Sequence, residues 1–130
     1  MATIDLCGTA VARLVTGPTV LASSVIDLKG YAANQVWNIF KIPAGAKCIG
    51  ASVKIIEQSS AACTFDVGFA SSDEFLNGTD VNVAAGFVIT VAGTAPTTQV
   101  AADTMVTAIM KTGVAQTAGK IQIFLTFART

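Results

Sequence analysis

Alternation is the strongest signal in this chain. Cys63, Phe65, Val67 and Phe69 fall on one side of an extended segment, with Thr64, Asp66 and Gly68 on the other. Ile121, Ile123, Leu125 and Phe127 repeat the pattern against Gln122 and Thr126, with Phe124 as the exception. Ile49, Ala51, Val53 and Ile55 stand in the same way against Ser52 and Lys54. A period of two belongs to a strand whose faces meet different surroundings. A helix would set apolar residues at i, i+3, i+4 and i+7, and these segments do not. Turn formers cut the chain between the runs, at Gly17-Pro18, Gly30, Pro43-Ala44-Gly45, Ser59-Ser60, Asn77-Gly78, Gly86, Gly93 to Pro96, Gly113 and Gly119.

The pattern predicts strands over 3–7, 10–16, 20–28, 35–42, 47–57, 62–69, 87–92, 98–110 (as one strand or two) and 120–128. It also predicts one helical turn over 72–78, with Ser72 as cap and Gly78 at the close. A chain of 130 residues has room for one core. The expected fold is all-β: a single jelly-roll β-sandwich over 1–130, with eight or so short antiparallel strands. Residues 1–18 form either an N-terminal strand of that domain or an arm toward a neighbour.

Composition sharpens the picture. Hydrophobic residues make up 52% of the chain and charged residues only 12%, against about 25% charged in an ordinary soluble domain. Eight Lys and Arg balance eight Asp and Glu, without runs. Phosphate binding needs a basic stripe, and Lys41, Lys47 and Lys54 are too loosely spaced to make one, so they read as solvated strand positions and nucleic acid is not an expected partner. The uncharged run from Val81 to Ala102 contains Asn82, Pro96, Gln99 and several threonines, too polar and broken for a bilayer-spanning helix. The start, Met1-Ala2-Thr3-Ile4-Asp5, does not read as a signal peptide, which points to synthesis in a cytoplasm.

Candidate chemistry is sparse. The chain has no histidine, which removes the commonest general base and the nucleophile–histidine arrangements. Cys7, Cys48 and Cys63 are odd in number and widely spaced, as expected of inert, reduced thiols. Trp37 is too far from Cys7 for an immunoglobulin-type core and reads as a packed core residue. Gly113 to Gly119-Lys120 superficially resembles a phosphate loop, but five residues separate the glycines and Ile121 follows the lysine. It reads as a hairpin turn. Asp66, Asp73, Glu74 and Asp80 cluster beside Asn77 without the spacing of a calcium loop, and read as a solvated loop capped by its own side chains. Asn77-Gly78-Thr79 spells a glycosylation sequon but reads as a turn. No catalytic, cofactor-binding or metal-ligating residue is expected, and no cofactor.

From Val36 onward, about three quarters of its length, the chain resembles the jelly-roll capsid decoration (cement) and head-fibre virion proteins of tailed bacteriophages. The resemblance is carried by Ile42-Pro43-Ala44-Gly45-Ala46-Lys47 leading into Ile49-Gly50-Ala51-Ser52-Val53, then by Phe65-Asp66-Val67-Gly68. It continues through Phe75-Leu76-Asn77-Gly78-Thr79-Asp80-Val81-Asn82 with Ala84-Ala85-Gly86, Ala101-Ala102-Asp103-Thr104 and the closing Gly119-Lys120-Ile121-Gln122-Ile123. It implies a structural, non-enzymatic virion protein that sits as a homotrimer on the outside of an icosahedral head and braces neighbouring major capsid subunits. The partners it implies are further copies of the chain and the major capsid protein, with neither nucleic acid nor membrane. The alternative is a tail- or head-fibre knob that binds host-surface glycan, for which one Trp and one Tyr offer little aromatic surface.

Overall fold

The computed structural model describes residues 3–8, 11–12, 19–69, 75–86, 88–89 and 100–129. Ten strands run through them: β1 (Ile4–Asp5), β2 (Thr19–Ala22), β3 (Ile26–Asp27), β4 (Val36–Ile42), β5 (Ala46–Glu57), β6 (Cys63–Phe69), β7 (Leu76–Asp80), β8 (Val88–Ile89), β9 (Thr104–Gly113) and β10 (Lys120–Arg129). One sheet has the order β1-β4-β9-β6-β7 and the other β2-β10-β5-β8, with β3 also against β10. We call them sheets A and B. Among the described residues there is no helix, and so none long and apolar enough to cross a membrane.

The pairing is nested. β6 pairs with β7, β5 with β8, β4 with β9, and the successive β2 and β3 with β10, all antiparallel. A chain folded back on itself as one long hairpin and then rolled produces this order, and it is the jelly roll expected from the alternation. β1 lies outside the nest, parallel to the free edge of β4.

The inner faces of both sheets supply the core. Ile121, Ile123, Leu125 and Phe127 of β10 are fully buried, facing Phe65, Val67, Ala108 and Met110 across the sandwich. Aromatic rings fill two parts of it. Trp37 lies 5.4 Å from Tyr31, edge to face, and 5.5 Å from Phe65. Phe75 meets Phe69 at 4.9 Å and Phe127 at 5.9 Å, both edge to face. Such pairs add about 0.5–1.5 kcal/mol each beyond the area they bury.

The structure departs from the sequence pattern in several places. Ala51, Val53 and Ile55 face inward as expected, but Ile49 does not. β5 carries bulges against β10 at Ile49 and Ile56. An extra residue resets which face follows, so Cys48 and Ala46 are buried while Ile49 is 52% exposed. The expected strand over 20–28 is two strands, because Ser23 interrupts it: its Oγ accepts a hydrogen bond from Ile123 N at 3.0 Å. Instead of a helical turn, residues 76–80 form β7; residues 72–74 lie outside the described residues, as does most of the strand expected over 10–16. The strand expected over 98–110 is β9, which begins later, at Thr104, and runs on to Gly113. Of the strand expected over 87–92, Val88–Ile89 is described.

Residues 113–120 do not make a hairpin. β9 belongs to sheet A and β10 to sheet B, so this connection crosses between sheets. Gln116, 2% exposed, pins it. Its Oε1 accepts from Ala61 N at 3.0 Å and Ser60 Oγ at 3.2 Å, and its Nε2 donates to the carbonyl of Val114 at 2.7 Å.

Candidate functional surface

Among the described residues the carboxylates accept hydrogen bonds from backbone N–H groups, most of them at turns. Asp66, expected in a solvated loop, is 5% exposed on β6. It stands opposite both Asn77 and Gly78, where β7 bulges, and its Oδ1 accepts from Gly78 N at 2.7 Å. The bulge needs a left-handed residue, and Gly78 supplies it at φ 63°. The Asn-Gly turn signal is therefore a strand bulge. Asp80 Oδ1 accepts from Asn82 N at 2.8 Å, and Asp5 Oδ1 from Gly8 N at 2.8 Å and Cys7 N at 3.1 Å. The backbone donors at Gly8 and Cys7 hold the Asp5 carboxyl below its ordinary range. Asp73 and Glu74 lie outside the described residues. Among the described residues no group of three or more Cys, Asp or Glu side chains is placed to hold a metal ion.

The thiols are passive. Cys48 and Cys63 are buried and Cys7 half-buried, all unpaired with one another. Desolvation, with a smaller contribution from the charge of Asp80, pushes the Cys63 thiol up to about 11. Burial raises Cys48 as well, and burial together with Asp5 raises Cys7. None is poised as a thiolate nucleophile. Trp37 is 2% exposed and packs in the core as expected, so it offers no face to a sugar ring.

A surface remains. The outer face of sheet B is built by register: Phe124 of β10 lies between Ala22 of β2 and Ser52 of β5, and Thr126 between Val20 and Gly50. Two consequences follow. Phe124, the exception to the alternation, faces outward among small neighbours and is only partly buried. Val20, at 62% exposed, and Ile49 at its bulge extend the same apolar face. Lys47 and Lys54, also outward on β5, bracket this patch, and Lys41 belongs to the other sheet. The outward position of Phe124 was visible in the sequence as a broken alternation. Ile49 was not, since its direction depends on a bulge that only the partner strand defines.

No protein-family model and no curated protein matches the chain. Solved structures do. A chain of the capsid of Ralstonia phage GP4 superposes with a TM-score of 0.76 at 22% identity, covering 99% of both chains. A chain of the cyanophage Pam1 capsid asymmetric unit gives 0.66 at 15% identity over 95% of both. A chain of the acid-stable capsid of Helicobacter pylori bacteriophage KHP30 gives 0.55 at 16% identity, covering 85% of this chain and 90% of that one. At these identities the likeness is one of fold, and the fold is the jelly roll seen in chains of phage capsids.

Proposed function

We propose that this chain is a structural virion protein of a tailed bacteriophage, a decoration (cement) protein that binds the outside of the head and braces neighbouring major capsid subunits. The observation that carries the reading is the end-to-end likeness to a chain of a phage capsid, which covers 99% of both partners. A non-enzymatic role is in keeping with carboxylates spent on turns and thiols held neutral. A protein that binds the closed shell and not the separated subunits adds its binding free energy to the closed state alone, by mass action. The neutral patch around Phe124 suits such contact, since the core of a protein interface is poor in charge and rich in aromatic residues.

The same reading makes the protein a homotrimer. Only sixteen charged side chains are available to cover the molecule, and symmetric closure would hide part of what they leave bare. Sedimentation at micromolar concentration should give three times the chain mass, and a 13.2 kDa species would refute the trimer.

Heads assembled without the protein provide the main test. Purified protein added to them should bind in tens to hundreds of copies and raise the temperature at which the shells rupture. Phe124→Glu should fold and yet bind far more weakly. Localisation to a few copies at fibre tips would overturn the reading in favour of the glycan-binding knob.

A further inference from the structure

The two sheets do not close on each other along one side. There, β1 is the edge of sheet A and β3 the edge of sheet B, each two residues long. Between them lies a cleft of about 260 Å³. Ile4 and Leu6 form one wall, Val25 and Ile26 the other, and Trp37 the floor, while Asp27, Lys29 and Tyr31 stand at the mouth.

Three observations bear on what this cleft takes. Its size exceeds the ~150 Å³ apolar cavity that suffices to bind benzene, so an aromatic ring fits. Its chemistry is graded, with apolar walls and a polar mouth, the arrangement that holds a side chain inside and its backbone outside. Its borders are two edge strands, and an edge strand pairs with extended chain. β1 is itself such an addition, held to β4 by the Ile4–Trp37 and Asp5–Asn38 pairs and by Leu6 N donating to the carbonyl of Asn38 at 2.9 Å. Its own Ile4 and Leu6 leave the cleft unfilled.

From this geometry we infer that the β1–β3 cleft is a receptor for an extended segment of a partner polypeptide, which adds to the edge and inserts one aromatic side chain between Ile4 and Leu6 on one side and Val25 and Ile26 on the other. The site does not depend on the proposed role on a phage head, and it can be tested on the isolated protein.

Trp37 is the sole tryptophan and lies in the floor, so it reports directly. Two probes are titrated: p-cresol as the bare side chain, and an acetylated, amidated Thr-Tyr-Thr peptide as the extended segment. Emission of Trp37 and backbone amide shifts are followed. Both probes should saturate, with shifts concentrated at Ile4, Leu6, Val25 and Ile26, and the peptide should bind at least tenfold more tightly than p-cresol. Val25→Phe, a change at a position 46% exposed, fills the cleft from one side. It should weaken both probes at least tenfold without lowering the melting temperature. Val20→Phe, on the outer face of sheet B, should leave binding unchanged. No saturable response, shifts spread over the whole surface, or binding indifferent to Val25→Phe would each overturn the site. Should Val25→Phe unfold the protein, the shift map of the unmodified protein decides alone. Equal affinities for the two probes would overturn the strand-addition part.

Discussion

Thr79 shows how closely single side chains are accounted for in this core. Its Oγ1 is buried without a hydrogen-bond partner, in a residue 1% exposed. An unmet buried hydroxyl costs about 1–3 kcal/mol. Thr79→Val keeps the β-branched shape and removes that cost, so it should stabilise by about 1 kcal/mol, read as a higher urea midpoint. Cys63 makes a pH-dependent contribution. Its thiol stays neutral in the folded protein up to about 11, against an ordinary value of 9.0. Unfolding therefore releases a proton between these values. The stability it contributes is fully present below pH 9.0 and is lost as pH rises through about 11. Cys63→Ala should show a shallower fall in denaturant midpoint over that window than the parent, and an identical fall would contradict the burial argument. At this scale the sequence was highly legible where a residue's fate depends on its neighbours in the chain. Phe65, Val67, Ile121 and Leu125 all face inward as their alternation predicts, whereas Ile49 is turned outward by an extra residue in a pairing that its neighbours do not encode.

Among the elements, connections proved harder to read than strands. Leu76 to Asp80 carries Asn-Gly, local turn chemistry, yet β6 recruits it as a strand and Asp66 satisfies the bulge that Gly78 makes. Tertiary pairing overrides local propensity here. The 113–120 connection looks like a hairpin because both flanks are strands, but the nested pairing sends those flanks to opposite sheets. Its stability then rests on Gln116 rather than on a turn type. Gln116→Leu takes the acceptor from the part-buried amide of Ala61, while the exposed hydroxyl of Ser60 keeps Thr117 N, and should cost about 1–2 kcal/mol by denaturant unfolding. A loss below ~0.5 kcal/mol would mean that the connection is held by its backbone bonds alone, such as Gln116 N to the carbonyl of Tyr31 at 3.0 Å. The candidate site belongs to this scale also. The cleft needs β1 parallel to β4 and β3 split from β2, and neither is written in a period-two pattern.

Taken whole, the chain is as compact as a lone monomer. Its accessible surface is 6193 Å², against about 6.4 × 10³ Å² for a compact chain of its mass. What sets it apart is the covering, because among the described residues the large hydrophobics left exposed are all Val or Ile. Such a molecule should survive loss of its N-terminal strand. β1 lies outside the nested pairs, so deletion of residues 2–12 should leave a cooperatively folding sandwich with a melting temperature lower by only several degrees. Failure to fold would place that strand in the core after all.

Nesting has a kinetic consequence as well. The innermost pair, β6 with β7, brings Val67 to Leu76, whereas the outermost brings Thr19 to Phe127. The outer closure spans a loop roughly ten times longer and costs about 2 kcal/mol more entropy if made first. Made last, after the inner pairs have shortened the path, it costs far less. Formation should then proceed outward from β6–β7 through β5–β8 and β4–β9 to β2–β10. In a φ-value survey, Val67→Ala and Leu76→Ala should slow folding strongly, and Leu21→Ala should mainly speed unfolding. Strands added early would spend the longest time with a bare edge, so the transient edges of β6, which waits for β9, and of β5, which waits for β10, are where the nascent chain is most exposed to mispairing with its own copies.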